Sequence, residues 1–548
     1  MAALPILIGS ILIAFDCSIQ VVSSILFATG VPLDWFQVPL ATAMAAGFGW
    51  WVARHYAEGD RGRAFGVAAG ISITAFLLFA LLSSQLYDVS WDGQTYHAEA
   101  IAQLAAGWNP FRGQLLPPVD YPTELAFFAK GPWISAAALY RLTGSFEAGK
   151  AFHPTLMLAC CLFWVAALRS LEKITRGLTC LLGVMVALNP VSTYQMHSYY
   201  VDGQLSSLLA TTIALLLLIG RRGDRPLLAV LALVVILTIN AKLTGALYLG
   251  IIGSGYWLWF ARACKPRRAE LAAWLLAGGA LGGLLVGYNP YITQFAKFLI
   301  TKGNAFYPHP SWRAIVSIES QGIFPGTGRF ARLMLSLLAP SQVTPTPPVT
   351  IKLPLTFTWL EIKQFAYPDV RVGGFGPLFS GALLLSVAAL PLLVWRDRQR
   401  LRNSSILYLL VALIGISALS FSETWWARFA PQLWLLPLLV GVVGLVVADH
   451  GRSRWLSLAL ILILLFNDLM IGARYVTFAF QQSRAVAQQL ATLKRETKPI
   501  IVDFNDIPAS RYRLGLHGIP YVEMDTLPCA QADRERIVMS EAMFCEPK

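Results

Sequence analysis

Two acidic positions in this 548-residue chain stand where a carboxylate could act on a substrate as well as hold a fold. Asp92 lies in the run Tyr87-Asp88-Val89-Ser90-Trp91-Asp92-Gly93-Gln94-Thr95-Tyr96-His97-Ala98-Glu99, and Asp202 in Ser198-Tyr199-Tyr200-Val201-Asp202-Gly203-Gln204. After Asp92 the pattern turns helical, and residues three and four apart on a helix are neighbours, so Asp92, Tyr96 and Glu99 share a face. A carboxylate there could accept a proton from an incoming hydroxyl, which is the work of a general base. The same position also suits a helix N-cap, where Asp is common. Asp202 opens a long apolar run, and an acid at a membrane edge reads either as functional or as a solvated carboxylate at the end of a span.

Fixed cations on the same side could hold an anionic group, for which arginine is suited because its planar fork binds two oxygens at once. Lys130, Arg371 and Arg428 are the leading candidates, with Arg313, Arg329 and Arg332 on the same side of the membrane. Arg371 sits in Tyr367-Pro368-Asp369-Val370-Arg371-Val372-Gly373-Gly374-Phe375-Gly376-Pro377, whose glycines let backbone approach a ligand closely. Arg428 sits in Glu423-Thr424-Trp425-Trp426-Ala427-Arg428-Phe429, and its plain alternatives are an ion pair with Glu423 or snorkelling to the interface. Tyr96, His97, Glu99 and Glu423 complete the candidate substrate-binding set. His97, His197 and His309 show no ligand spacing that decides for a metal with Asp92 and Asp202, so local hydrogen bonding is the simpler reading. No metal ligand is assigned, and a divalent cofactor stays open.

The elements that must position these residues are membrane helices. The chain is 56% hydrophobic and only 13% charged, against roughly 25% charged in a soluble domain. A bilayer core takes about 20 apolar residues per helical span. Such runs fall near 4–29, 35–53, 65–86, 151–168, 178–192, 205–220, 227–240, 243–261, 271–288, 375–395, 406–421, 429–447 and 456–471, about thirteen in all. The first is too long for a signal h-region and lacks a basic flank, so it is expected to remain as a helix.

Arginine and lysine cluster in every second short loop: 54–63, 169–176, 221–225, 262–268, 396–402 and 452–454. That alternation puts the N-terminus in the cytoplasm and the C-terminus outside, as expected of a bacterial inner membrane protein. It also accounts for the net charge of +13 without a nucleic-acid partner, because no single basic patch or arm is formed. Two long outer loops follow, 87–150 and 289–374, both rich in aromatic residues. Long connections of this kind are functional or disordered, and the aromatic content argues for order. Residues 1–473 thus form a transmembrane domain.

Residues 474–548 read as a small outer α/β unit, with an amphipathic helix over 481–496 and strands over 499–504 and 519–524. Of seven cysteines only Cys529 and Cys545 fall in it, where an oxidising compartment lets them pair or remain apart. Asp16, Lys242 and Asp468, within or beside spans, read most simply as hydrogen-bond partners between helices.

The stretch from Trp91-Asp92 through Tyr96, Ala100 and Gly107 to Pro110, followed by Lys130-Gly131-Pro132-Trp133, resembles the first outer loop of the GT-C superfamily of membrane glycosyltransferases. That superfamily includes the protein O-mannosyltransferases and the lipid A aminoarabinose transferases. The resemblance implies an all-α, GT-C-like membrane fold, an essential acid at Asp92, and a second acid at Asp202 approaching it. Gly93 departs from the second acidic residue that many members carry, which leaves Asp88 or Glu99 to replace it. The loop also follows the third span here, where many members have it after the first. Asn304-Ala305-Phe306-Tyr307-Pro308-His309-Pro310 resembles a segment of some members that covers the site.

The implied partners are a polyprenyl-phosphate sugar donor, a glycan, lipid or protein acceptor, and the surrounding membrane lipid. The implied activity is sugar transfer on the outer face with inversion, with Asp92 as base, Asp202 as helper, and Lys130, Arg371 and Arg428 holding phosphate. The rivals are a flippase of lipid-linked saccharides and a surface-polysaccharide polymerase or ligase using diphosphate donors.

Overall fold

The computed structural model describes residues 3–263, 267–302, 319–397, 401–447, 451–496 and 498–545. The segment 304–310, His309, Phe306, Trp312 and Arg313 lie outside the described residues. A helix lies at each of the thirteen apolar runs. Among the described residues six helices are long and apolar enough to cross a bilayer: Ala3–Thr29, Arg61–Ser84, Phe146–Arg169, Asp202–Arg221, Arg268–Val286 and Ser453–Leu493. Five shorter apolar helices accompany them. The chain is a polytopic, mostly helical membrane protein.

Burial separates the centre of the bundle from its lipid-facing rim. Asp202–Arg221 is apolar on all sides and 94% buried, as a helix surrounded by other helices must be, whereas Arg61–Ser84 is 11% buried and offers its leucines to lipid. The central helix packs against Phe152–Arg169 and Arg225–Ala241. Asp202, at its N-terminal end, is therefore held by the most enclosed of these six long helices.

The helix at 225–241 stops at Lys242, whose backbone is extended (φ −159°, ψ 145°), and a new helix begins at Leu243. A break of this kind is tolerated at membrane depth only where the freed backbone faces protein or a cavity. The long connection over residues 87–150 carries a helix at Ala98–Ala105 and another at Gly131–Thr143. Between residues 93 and 97 the backbone makes a widened, π-type turn, with Thr95 off the helical region (φ −94°, ψ −116°). Such turns recur at functional sites.

One helix runs unbroken from Arg452 to Leu493, 42 residues. It merges the expected span 456–471 with the expected amphipathic helix 481–496, because no proline interrupts the run and Gly472 alone does not stop a helix braced by packing. At about 1.5 Å per residue it is about 60 Å long, twice the bilayer core, so its far half extends beyond the bilayer. It ends beneath a four-stranded sheet in the order β2-β1-β4-β3, with β1 at Ile500–Asp503, β2 at Tyr521–Glu523, β3 at Arg534–Arg536 and β4 at Met543–Cys545. β1 pairs parallel to β2 and antiparallel to β4. Val486, Leu490 and Leu493 of the long helix fill the core beneath the sheet with Ile500, Val502 and Phe544. Cys529 and Cys545 form a disulfide.

Candidate active site

Asp92 does not cap a helix. Its carboxylate makes no bond to the following backbone. Instead its Oδ2 accepts from the Tyr96 hydroxyl at 2.9 Å and from Arg428 at 3.0 Å. The turn that presents it is built by its neighbours. Ser90 Oγ accepts from the Gly93 N–H at 3.2 Å, and Asp88 Oδ1 accepts from the Ser90 N–H at 2.8 Å. A Cβ on residue 93 would meet Asp88 Oδ2 at 2.0 Å, so no second acid fits there. Asp88 Oδ2 in turn accepts from the Tyr199 N–H at 2.6 Å and is spent on the backbone.

Arg428 gathers the acids. Its NH1 lies 3.0 Å from Asp92 and 3.9 Å from Asp202, and its Nε lies 3.6 Å from Asp369. Asp202 Oδ1 takes an ion pair from Lys242, at the helix break. Aromatic faces enclose the guanidinium: Trp426 at 4.4 Å, Tyr200 and Phe429 at 5.3 Å each. Phe429 also lies 4.2 Å beneath Lys242, and the Trp426 N–H holds Asp369 at 2.7 Å. Three carboxylates thus face two cations inside an aromatic frame. Side-chain exposures of 17% at Asp92, 13% at Arg428 and 15% at Lys242 leave the cluster largely buried but not sealed.

Burial pushes the Asp92 carboxyl up, but the Arg428 guanidinium, His97 and the Tyr96 hydroxyl outweigh it and hold it below the ordinary carboxylate range. At Asp369 burial wins and the carboxyl is raised, Arg428 notwithstanding. His97 is lowered to about 4, chiefly by burial, and is therefore neutral at neutral pH. Its Nδ1 accepts from the Trp133 indole N–H at 2.6 Å, which leaves the proton on Nε2.

No protein family and no curated protein matches this sequence. Among solved structures the chain is similar to ArnT from Cupriavidus metallidurans bound to undecaprenyl phosphate, with a TM-score of 0.42 and 13% identity over 85% of this chain and 86% of that one. It is likewise similar to ArnT from the same organism in the apo state, with a TM-score of 0.41 and 14% identity over 83% and 86% of the two chains.

The other expected site residues divide between this cluster and the scaffold. Arg371 stacks on Trp426 at 5.0 Å and pairs with Glu319 at 3.2 Å, so it borders the cluster through a shared indole. Glu423 accepts from the Trp425 N–H at 2.6 Å and lies 3.8 Å from Arg332, apart from Arg428. Glu99 is fully buried, and its two oxygens accept from the backbone N–H groups of Asp120 and Tyr121 at 2.8 and 2.7 Å. Lys130 donates to the carbonyls of Ala126 and Phe128, and burial lowers its ammonium to about 7. His197 is buried beneath Tyr475, whose hydroxyl donates no bond to its ring but accepts one from its backbone N–H at 3.1 Å.

Among the described residues no three His, Cys, Asp or Glu side chains converge as metal ligands. Asp369 and Lys242 belong to the cluster and were not singled out as site residues from sequence. Asp369 lies two residues before Arg371 in a run already marked by its glycines. Lys242 is a lone cation inside apolar sequence, a signal that by itself also fits a packing role.

Proposed function

We propose that this protein is a membrane glycosyltransferase of GT-C type, moving a sugar from a polyprenyl-phosphate donor to an acceptor hydroxyl on the outer face with inversion. The observation that carries it is the placement of Asp92. One oxygen is fixed by Tyr96 and Arg428, and Oδ1 has no partner among the described residues. That oxygen takes the acceptor proton while the hydroxyl attacks the anomeric carbon. The C–O bond to the phosphate breaks on the opposite face of the sugar, and the pair of electrons leaves with the phosphate.

Negative charge then grows on the departing oxygens, and Arg428 and Lys242 are the fixed cations beside them. Arg371 extends the cationic edge along the Trp426 face. Asp202 keeps Lys242 oriented, Asp369 orients Arg428 and Trp426, and neutral His97 offers its Nε2–H as a donor. Direct displacement by one base inverts the anomeric centre. A flippase would need charges spread along a path through the membrane, whereas these cluster at one face.

The deciding experiment is transfer from a radiolabelled polyprenyl-monophosphate sugar by purified protein and its Asp92→Asn variant. The proposal expects transfer by the first alone, with both folded. Transfer from diphosphate donors only would indicate the polymerase or ligase reading, and undiminished transfer by the variant removes Asp92 from the chemistry.

A further inference from the structure

Four residues from Asp92 lies a second ionic cluster of different design, and it is completed from the far end of the chain. Arg513, in the helix Pro508–Leu516 of the C-terminal unit, is 7% exposed at its side chain. It donates to Glu147 Oε1 at 2.9 and 3.2 Å, to Gln94 Oε1 at 3.1 Å and to the Asp88 carbonyl at 2.5 Å, and it lies over the Tyr87 ring at 5.3 Å. Gln94 also donates to the Met539 carbonyl at 2.8 Å.

A second arginine on the same helix grips the other strand of the loop. Arg511 pairs with Asp120 at 3.0 Å, beside Tyr121, whose hydroxyl donates to the Asp506 carbonyl at 2.7 Å. Both flanks of the Asp92 turn, residues 88 and 94, are therefore bonded to one guanidinium. Asp88 passes the constraint on to the Tyr199 N–H, next to the Tyr200 ring that lies against Arg428.

We infer that Arg513 is a positioning residue: the C-terminal unit acts as a clamp that fixes the turn carrying Asp92 against Arg428 and Asp202. This rests on the reading of Asp92 as the base, but the clamp itself has a readout that does not. A guanidinium suits the task because its fork meets a carboxylate, an amide oxygen and a carbonyl in one plane, which a lysine cannot. The turn it holds is the widened one, whose Thr95 backbone is off the helical region and needs outside support.

The test uses the full-length protein in detergent or nanodiscs. In Arg513→Gln, hydrogen exchange in a peptide spanning 87–100 is expected to rise at least about threefold, while exchange in the central spans stays unchanged. In the transfer assay kcat is expected to fall about 10- to 100-fold with donor KM within about threefold, because displacement of a base costs rate more than binding. Arg513→Gln leaves Lys150 as the one cation on Glu147, so the double variant Arg513→Gln/Glu147→Gln controls for charge: under the clamp the exchange stays raised and kcat stays low. Full recovery in the double variant would reduce Arg513 to charge balance and overturn the proposal.

Should Arg513→Gln not accumulate, Gln94→Ala removes an uncharged strut of the same clamp and is expected to move exchange and kcat the same way by less. Unchanged exchange in a folded variant of either kind overturns the clamp. Raised exchange in a protein that transfers no sugar sinks the proposed function and leaves the clamp standing.

Discussion

Asp88 and Asp92 are four residues apart and belong to opposite kinds of ionic cluster. Around Asp88, the Glu147 carboxylate takes Lys150 at 2.5 Å, Arg513 at 2.9 Å and the Asp88 N–H at 3.1 Å, and Lys150 also bonds the Leu86 carbonyl. Every charge there is short-bonded and almost dry. Around Asp92, Arg428 reaches two of its three acids only at 3.6 and 3.9 Å, and its Nε has no hydrogen-bond partner among the described residues. The first arrangement is saturated, and nothing can be added to it. The second leaves donors and one acceptor oxygen to spare, which costs stability in a buried place and is tolerated where a ligand completes the set. Residue type does not distinguish a scaffold from a site; saturation does.

The contrast can be broken from either side, and the largest effect is expected at Asp92. Asp92→Asn removes the base and is expected to lower transfer by about 10³-fold, with the thermal midpoint in detergent unchanged. Glu147→Ala does the reverse. It leaves Lys150 and Arg513 buried without their carboxylate and is expected to cost about 3 kcal/mol, read as a lowered midpoint of denaturation.

Arg428→Gln is expected to lower kcat/KM by about 10²-fold. It also carries a pH signature whose sign follows from the forces on Asp92. Arg428 lowers that carboxyl, so removing the guanidinium raises it. The acid limb of the kcat/KM profile therefore moves to higher pH in the variant, and a limb that stays in place or moves down refutes Asp92 as the group titrating. Gly93→Ala forces a methyl against the Asp88 carboxylate and is expected to cost about 2 kcal/mol of stability. Tyr96→Phe removes one of the two bonds on Asp92 Oδ2 and is expected to slow transfer about fivefold, the smallest change of the set.

The helices were legible because lipid imposes a simple rule: each apolar run of sufficient length had a helix waiting for it. Asp92, Asp202 and Arg428 stood out because ionised groups at span ends are rare and conspicuous. Arg428 meets Asp92 across 336 positions and Asp202 across 226, and no local pattern encodes that. The shared helix face of Asp92, Tyr96 and Glu99 was half right in physical terms. The widened turn keeps the bond between Asp92 and Tyr96 and sends Glu99 to the backbone of residues 120 and 121.

Lys242 was legible as an anomaly without a destination, since the break that aims it contains neither glycine nor proline. Arg513 and Glu147 carried no signal at all. A charged residue in a polar tail looks like any other solvated one until its partner is known. The continuous helix through residue 474 was hidden for a related reason: the change from apolar to amphipathic sequence marks where the surroundings change from lipid to water, and the backbone need not bend there.

That helix has a mechanical consequence. A rod about 60 Å long, gripped by lipid over one half and by a sheet over the other, turns rotation at its base into translation at its tip, so a tilt of about 5° sweeps the upper end through about 5 Å. Bilayers of unequal thickness tilt the helices that cross them. The distance from the acyl chains to the turn at residues 88 to 94 is thus spanned by a stiff lever, and lipid composition has a direct physical route to the geometry above it.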